Sequence, residues 1–91
     1  MQHITKKSLQ LRQILGRKIS ELRKSYYKDS CNKLEKEYEI GKGTLNRIEN
    51  GKVDAKFITL WKVAEALGLK MSELTKIIED EVGEDFVLMD E

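Results

Sequence analysis

The spacing of apolar side chains is the strongest restriction on the fold of this sequence. From about Leu9 to Lys24 they recur every three or four residues, which is the period of one face of an α-helix. The recurring positions are Leu11, Leu15, Ile19 and Leu22, with Ile14 beside them. Strand-like alternation is scarce and the 91 residues include no proline. The pattern therefore predicts an all-α fold.

Four further segments have the boundaries or the apolar spacing of helices. We expect helices over about 30–37, 42–50 and 57–67, and a fifth that begins near residue 72. Asp29 or Ser30 can cap helix 2 and Ser72 can cap helix 5, because each offers a side-chain oxygen to a backbone N–H. One apolar arc of helix 4 consists of Phe57, Leu60, Val63, Ala64 and Leu67, with Trp61 at its edge. Gly51 and Gly68 follow helices 3 and 4, where a left-handed residue commonly ends a helix.

The length allows one small domain, whose marginal core favours close helix packing or dimerisation. We expect an N-terminal arm over residues 1–8, the domain over 9–81 and an acidic tail over 82–91. No apolar run approaches the roughly 20 residues of a membrane span, so a cytoplasmic protein is expected. One histidine and one cysteine offer no internal disulfide, metal set or nucleophile–base pair. We therefore expect neither an enzyme nor a cofactor, and no small-molecule ligand is evident.

Charge is distributed unevenly along the chain although its total is only +1. Residues 1–31 contain eight basic and two acidic side chains, a net of +6, and residues 32–70 have a net of +2. Residues 71–91 contain one lysine and eight acids, a net of −7. A basic front and an acidic rear favour a molecule that meets a polyanion with one end. The alternative is a solvated surface with an acidic tail.

Helix 3 has the composition of a DNA-reading helix. At about 100° per residue, Leu45 and Ile48 fall on one side of it. The other side carries Lys42, Gly43, Asn46, Arg47 and Asn50. Arginine and asparagine can make paired hydrogen bonds to guanine and adenine edges in the major groove. Such a face suits DNA, and a merely solvated face is the alternative.

Four segments together resemble the Xre/Cro-repressor family of DNA-binding domains. They are ISELRK at 19–24, GTLNRIENGK at 43–52, TLWKVAEALG at 59–68 and MSEL at 71–74. They occur in the family order and at nearly the family spacing, over roughly residues 15–74. The resemblance implies a compact five-helix bundle of the lambda-repressor type. In that bundle helices 2 and 3 form a helix-turn-helix, and helix 3 reads the bases.

The resemblance also implies roles for individual residues. Base contacts are expected from Lys42, Gly43, Asn46 and Arg47, with Gly43 limited to its backbone. Phosphate contacts are expected from Thr44, Asn50, Lys52 and Lys56, and from the amides near Ser30 and Cys31. Packing or capping is the alternative for Thr44, and a solvated loop is the alternative for Lys52 and Lys56. Arg23 and Glu49 are expected to form an ion pair that orients helix 3.

The sequence departs from the family pattern around helix 2. Cys31 occupies a position where the family often has a glutamine, and Glu35 occupies one where it has a small residue. Glu39 replaces the turn glycine, which implies a different turn or a left-handed residue costing about 1 kcal/mol. Glu35, Glu37 and Glu39 also bring negative charge close to the expected DNA surface.

The leading functional hypothesis is a sequence-specific, repressor-like transcription regulator that binds a palindromic operator as a homodimer. Phage-type repressors, restriction–modification controllers and antitoxins all fit this description. The alternative is a protein-interaction module that kept the fold, such as an antitoxin or a DNA-mimic-like partner binder. The apolar residues of the tail form a dimer surface with helix 5, or they pack on their own domain or are disordered. These residues are Phe86, Val87, Leu88 and Met89.

Overall fold

The protein is a bundle of α-helices. The computed structural model describes residues 5–26 and 30–89, and it describes no side chain between residues 26 and 33. The helices are α1 (Lys6–Tyr26), α2 (Ser30–Tyr38), α3 (Lys42–Glu49), α4 (Phe57–Ala66) and α5 (Met71–Val82). The described residues contain no strand, and the predicted all-α class is confirmed. None of the described helices is long and apolar enough to cross a membrane.

The first helix begins earlier than its apolar pattern predicts. It starts at Lys6 rather than near Leu9 and extends over 21 residues. Thr5 provides the start, because its hydroxyl accepts the backbone N–H of Ser8 at 3.0 Å and so satisfies a first-turn donor. Residues 1–4 of the expected arm lie outside the described residues, whereas residues 6–8 are helical.

One core joins all five helices. Its fully buried side chains come from α1, α2, α4 and α5, and α3 adds two more that are nearly as buried. They are Ile19, Leu34, Val63 and Leu74, together with Leu45 and Ile48. Helix α1 packs against α3 and α5, and α2 packs against α4. This arrangement supports α3 from behind and leaves its other side at the surface.

The ends of α4 and α5 show one confirmed and one wrong prediction. Gly68 has a φ of 75°, and the N–H of Leu69 bonds back to the carbonyl of Ala64 at 2.8 Å. This is the predicted left-handed helix end. Ser72 does not cap α5, because the helix begins one residue earlier. Its first-turn Glu73 carboxylate instead accepts the backbone N–H of Lys70 at 2.8 Å.

Phe57 lies at the surface although it falls on the apolar arc of helix 4. Its side chain is 62% exposed and packs on the ring of Trp61, with centroids 5.8 Å apart. Phe57 lies in the first turn of α4, and the buried positions begin only further along, at Val63 and Ala64. Phe57, Ile58 (64% exposed) and Trp61 (45% exposed) form what we call the α4 apolar patch.

Candidate nucleic-acid interface

The outer face of α3 is the centre of the candidate interface. Leu45 and Ile48 are buried and attach the helix to the core. The remaining positions of interest are all exposed, namely Lys42, Gly43, Asn46, Arg47 and Asn50. The division between the two sides matches the helical projection of the sequence. A row of cationic, amide and backbone groups therefore faces outward.

A tight turn leads from α2 into α3. Glu39 adopts a left-handed conformation with a φ of 58°, so the chain accepts a non-glycine residue where the family pattern has glycine. The next residue, Ile40, is buried, and its N–H bonds to the carbonyl of Leu34 at 2.9 Å. Gly41 then precedes α3 in an extended conformation. The buried Ile40 therefore holds the turn in place despite the backbone cost at Glu39.

The C-terminal end of α3 is followed by a glycine in the left-handed conformation. Gly51 has a φ of 69°, and the N–H of Lys52 bonds to the carbonyl of Arg47 at 2.9 Å. These are the features of a Schellman end. A Cβ on Gly51 would also lie 3.1 Å from the Cα of Gln13 on α1. Glycine is therefore required at this position both by conformation and by the closeness of the two elements.

Helix α1 also holds the last turn of α3. A Cβ on Gly16 would come within 2.6 Å of the carbonyl oxygen of Glu49, so the two backbones approach as closely as glycine permits. Arg23 donates to the Glu49 carboxylate through Nε at 2.6 Å and through a terminal nitrogen at 3.0 Å. A close backbone contact and a bidentate ion pair together set the direction in which α3 points.

The guanidinium of Arg47 lies along the outside of α3. One terminal nitrogen donates to the hydroxyl of Thr44 at 3.4 Å. The other lies 3.6 Å from the point where a Cβ on Gly43 would be. Arg47 therefore lies over the first turn of α3, at an ordinary van der Waals distance from Gly43. The guanidinium remains exposed and can present its forked donors to an acceptor pair.

Asn46 and Asn50 form a pair on the same face. The Nδ2 group of Asn50 donates to the main-chain oxygen of Asn46 at 2.8 Å and to its Oδ1 at 3.2 Å. Asn50 thus stabilises the last turn of α3. In this arrangement the Oδ1 of Asn46 is an acceptor within the pair. Its Nδ2 group is left to donate to a ligand.

A cleft separates α3 from the start of α4. It encloses about 290 Å³, and Thr44, Arg47, Lys56 and Thr59 are among its lining residues. No side chain caps the first turn of α4, so its leading N–H groups stay available to an anion. The acidic Asp54 on the cleft wall lies 3.5 Å from the Nε of Arg12. That pairing offsets the one negative charge among the lining residues.

The remaining predicted site residues lie outside the cleft between α3 and α4. Lys52 is exposed on the loop after α3. Ser30 and Cys31 belong to the first turn of α2 by backbone, and their side chains lie outside the described residues. Glu35, Glu37 and Glu39 are all exposed, so the expected negative charge is present at the surface near the helix-turn-helix.

Sequence reasoning did not assign roles to three residues that position the interface. Arg12 on α1 keeps its side chain about nine-tenths buried and pairs with Asp54 of the cleft. Thr59 lines the cleft from α4. Gly16 does carry a signal, because a glycine inside a helix costs about 1 kcal/mol relative to alanine and so points to a packing reason. Arg12 and Thr59 carry no such local signal.

Comparison with known proteins bears on the middle of the chain. No curated protein and no solved structure matches this sequence. A family model described as Helix-turn-helix matches residues 19–74, which is more than half of the chain. The match includes α2, the turn at Glu39 and α3, and it extends through α4. The chain therefore belongs to the Xre/Cro-like helix-turn-helix family of DNA-binding transcription regulators.

Proposed function

We propose that the protein is a sequence-specific, repressor-like regulator that binds a palindromic operator as a homodimer. The observation that carries this proposal is the outer face of α3, where Lys42, Asn46 and Arg47 are exposed while Leu45 and Ile48 are buried. A helix presented in this way fits the major groove of B-DNA, which admits an α-helix.

Arg47 is the main base-reading residue in this proposal. Its guanidinium suits the O6 and N7 acceptors of guanine, a contact worth about 1–3 kcal/mol of discrimination. Asn46 donates through Nδ2 to a neighbouring base acceptor, and Lys42 reaches a base at the leading end of the helix. Gly43 allows the backbone to approach the bases closely.

Phosphate groups would bind on both sides of α3. On one side lies the cleft with Thr44, Lys56 and the open first turn of α4. Lys52 and Asn50 extend this set at the end of α3. On the other side, the amides of the first turn of α2, at Ser30 and Cys31, would hold a second phosphate. Phosphate contacts of this kind position the protein without reading sequence.

A homodimer follows from how few bases one helix-turn-helix can read. Two copies on half-sites one DNA turn apart double the number of bases read. We place the contact between copies on the α4 apolar patch, because Phe57, Ile58 and Trp61 are exposed and adjoin Lys56 and Thr59 of the cleft. The expected surface, α5 with the tail, is partly used within the chain, since Lys7 donates to the carbonyl of Val87 and Arg17 pairs with Glu81.

A protein-interaction module is the second candidate, and one observation favours it. The carboxylates of Glu35, Glu37 and Glu39 are exposed on α2 and the turn of the helix-turn-helix itself, where they would repel phosphate. An antitoxin or a DNA-mimic-like binder would tolerate them. Four exposed or cleft-lining cations, at Lys42, Arg47, Lys52 and Lys56, oppose these three charges, which leaves regulation of DNA as the better-supported function.

Selection of bound duplexes from a random pool tests the proposal. We expect an enriched inverted repeat with half-sites about one helical turn apart. For about six phosphate contacts, the log–log slope of affinity against salt should be near −5. Enrichment of a single half-site would contradict the homodimer. Failure to bind any duplex at low salt would contradict DNA regulation and favour the interaction module.

A further inference from the structure

A groove lies on another part of the molecule, between the N-terminal half of α1, the end of α5 and the tail. It encloses about 650 Å³. Leu11, Val82 and Phe86 line it with apolar surface, and Glu79, Asp80 and Glu84 contribute carboxylates. The three acidic residues are exposed, whereas Leu11, Val82 and Phe86 are partly buried. The groove therefore combines an apolar floor with an acidic rim.

Every residue that lines this groove lies outside residues 19–74, the range of the family match. The two flanks of the chain are held together around it. Lys7 donates through Nζ to the carbonyl of Val87 at 2.8 Å, and Arg17 pairs with Glu81. None of its lining residues belongs to the cleft between α3 and α4. The groove thus lies outside the matched range and is separate from the reading helix.

Charge decides which class of ligand can occupy the groove. The residues that line the groove carry three carboxylates and one lysine, a net charge of −2, and that lysine, Lys76, already pairs with Asp80 at 3.2 Å. A surface of this sign repels DNA phosphates and attracts cations. A simple cation would leave the apolar floor exposed to water, whereas a ligand with an apolar group would cover it, which is favourable.

We propose that the groove binds a basic amphipathic segment of another protein. One apolar side chain of that segment inserts among Leu11, Val82 and Phe86, and flanking lysines or arginines pair with Glu79 and Glu84. The segment is recognised by an apolar helical face flanked by basic positions, as an amphipathic helix is in a groove. Because the groove and α3 share no residue, the protein holds this partner while it is bound to DNA.

A designed peptide tests this proposal on the full chain. The probe is a fluorescein-labelled helical peptide of about 14 residues, with leucine on one face and lysine elsewhere. One control peptide replaces the lysines by glutamate, and a second replaces the leucines by alanine. We expect fluorescence anisotropy to show binding of the probe and losses of at least about tenfold for each control. Equal binding of the leucine and alanine peptides would overturn the proposal, since only charge would then matter.

Matched variants locate the site. E79Q/E84Q should lower the affinity for the probe peptide about fivefold, since two exposed ion pairs are lost. E35Q/E37Q removes the same charge on α2 and should have little effect on that affinity. On addition of the peptide, the largest changes in amide chemical shifts should centre on Leu11, Val82 and Phe86. Equal effects of the two double variants, or shifts centred elsewhere, would overturn the proposal.

Two further measurements separate this inference from its alternatives. Operator affinity should be the same for E79Q/E84Q and the parent to within about twofold, so the peptide and DNA results are independent of each other. Sedimentation of the chain alone tests a second copy as the occupant. Self-association that E79Q/E84Q abolishes would show that the groove binds another copy and would overturn the proposal of a different partner.

Discussion

Arg23 on α1 and Glu49 at the last position of α3 form a bidentate ion pair, with Nε to Oε2 at 2.6 Å and a terminal nitrogen to Oε1 at 3.0 Å. Their side chains are only 18% and 12% exposed, so water screens the pair weakly. The planar guanidinium and carboxylate restrict the rotation of one helix against the other. The pair therefore links the long supporting helix to the orientation of the helix that faces DNA.

We expect Glu49→Ala to lower both stability and DNA affinity. It leaves the Arg23 guanidinium in a largely buried position without this partner, at a cost of about 3 kcal/mol. Urea unfolding measures the loss, and binding to the selected operator measures the consequence for α3. Glu49→Gln is the control, because it keeps the shape and one hydrogen bond and should lose less. A melting temperature equal to that of the parent would contradict the role of the pair.

Gly16→Ala should destabilise the protein, against the usual preference of helices for alanine. In an open helix the change stabilises by about 0.8–1 kcal/mol. Here the new Cβ would come within 2.6 Å of the Glu49 carbonyl oxygen, and α1 and α3 would have to separate. Gly43→Ala is the matched control, because its Cβ would meet only Arg47, at 3.6 Å. Chemical unfolding should show opposite signs, and stabilisation by both variants would contradict the close contact.

Glu39→Gly should stabilise the protein by up to about 1 kcal/mol. The residue is exposed with a φ of 58°, a conformation that glycine adopts without the steric cost of a Cβ. Glu37→Gly removes the same charge two residues earlier, inside α2, and should destabilise by a similar amount. Both variants are unfolded at high salt, because salt screens the electrostatic effect of losing a carboxylate. Destabilisation by both changes would show that the turn carries no strain.

Arg47→Ala and Lys52→Ala should affect DNA binding in different ways. If Arg47 reads a guanine, its loss costs about 1–3 kcal/mol and relaxes the preference at one base position. Loss of Lys52 should weaken all sequences alike and reduce the magnitude of the salt slope by about one. Competition between the operator and point-substituted duplexes distinguishes the two. A uniform loss for Arg47→Ala would remove it from the base-reading set.

Ile58→Glu should reduce dimerisation without unfolding the domain. The side chain is 64% exposed, so a charge there costs little in the monomer and opposes an apolar contact between copies. Leu88→Glu places the same charge on the tail and serves as the control. Sedimentation should show a weaker dimer for the first variant alone. The reverse result would move the interface to α5 and the tail.

Much of the fold could be predicted because its signals are local. Apolar residues at helical spacing predict α3 to within one residue at its end, and Gly51 and Gly68 mark helix ends where their positive φ angles are found. The start of α1 was missed, since Thr5 caps it within a segment that has no apolar pattern. The exposed face of α3 was also accessible to sequence reasoning, because Leu45 and Ile48 alone orient a helix of this length.

The sequence alone was enough for the helical class, for the family and for the face of α3 that points outward, because these depend on residues a few positions apart. Tertiary structure was needed for the exposure of Phe57, for the backbone contact at Gly16 and for the partnership of Arg12 with Asp54. Tertiary structure was needed equally for the groove, which Leu11 and Phe86 line from opposite ends of the sequence. Each of these depends on which distant segment lies opposite, and local periodicity contains no information about that choice.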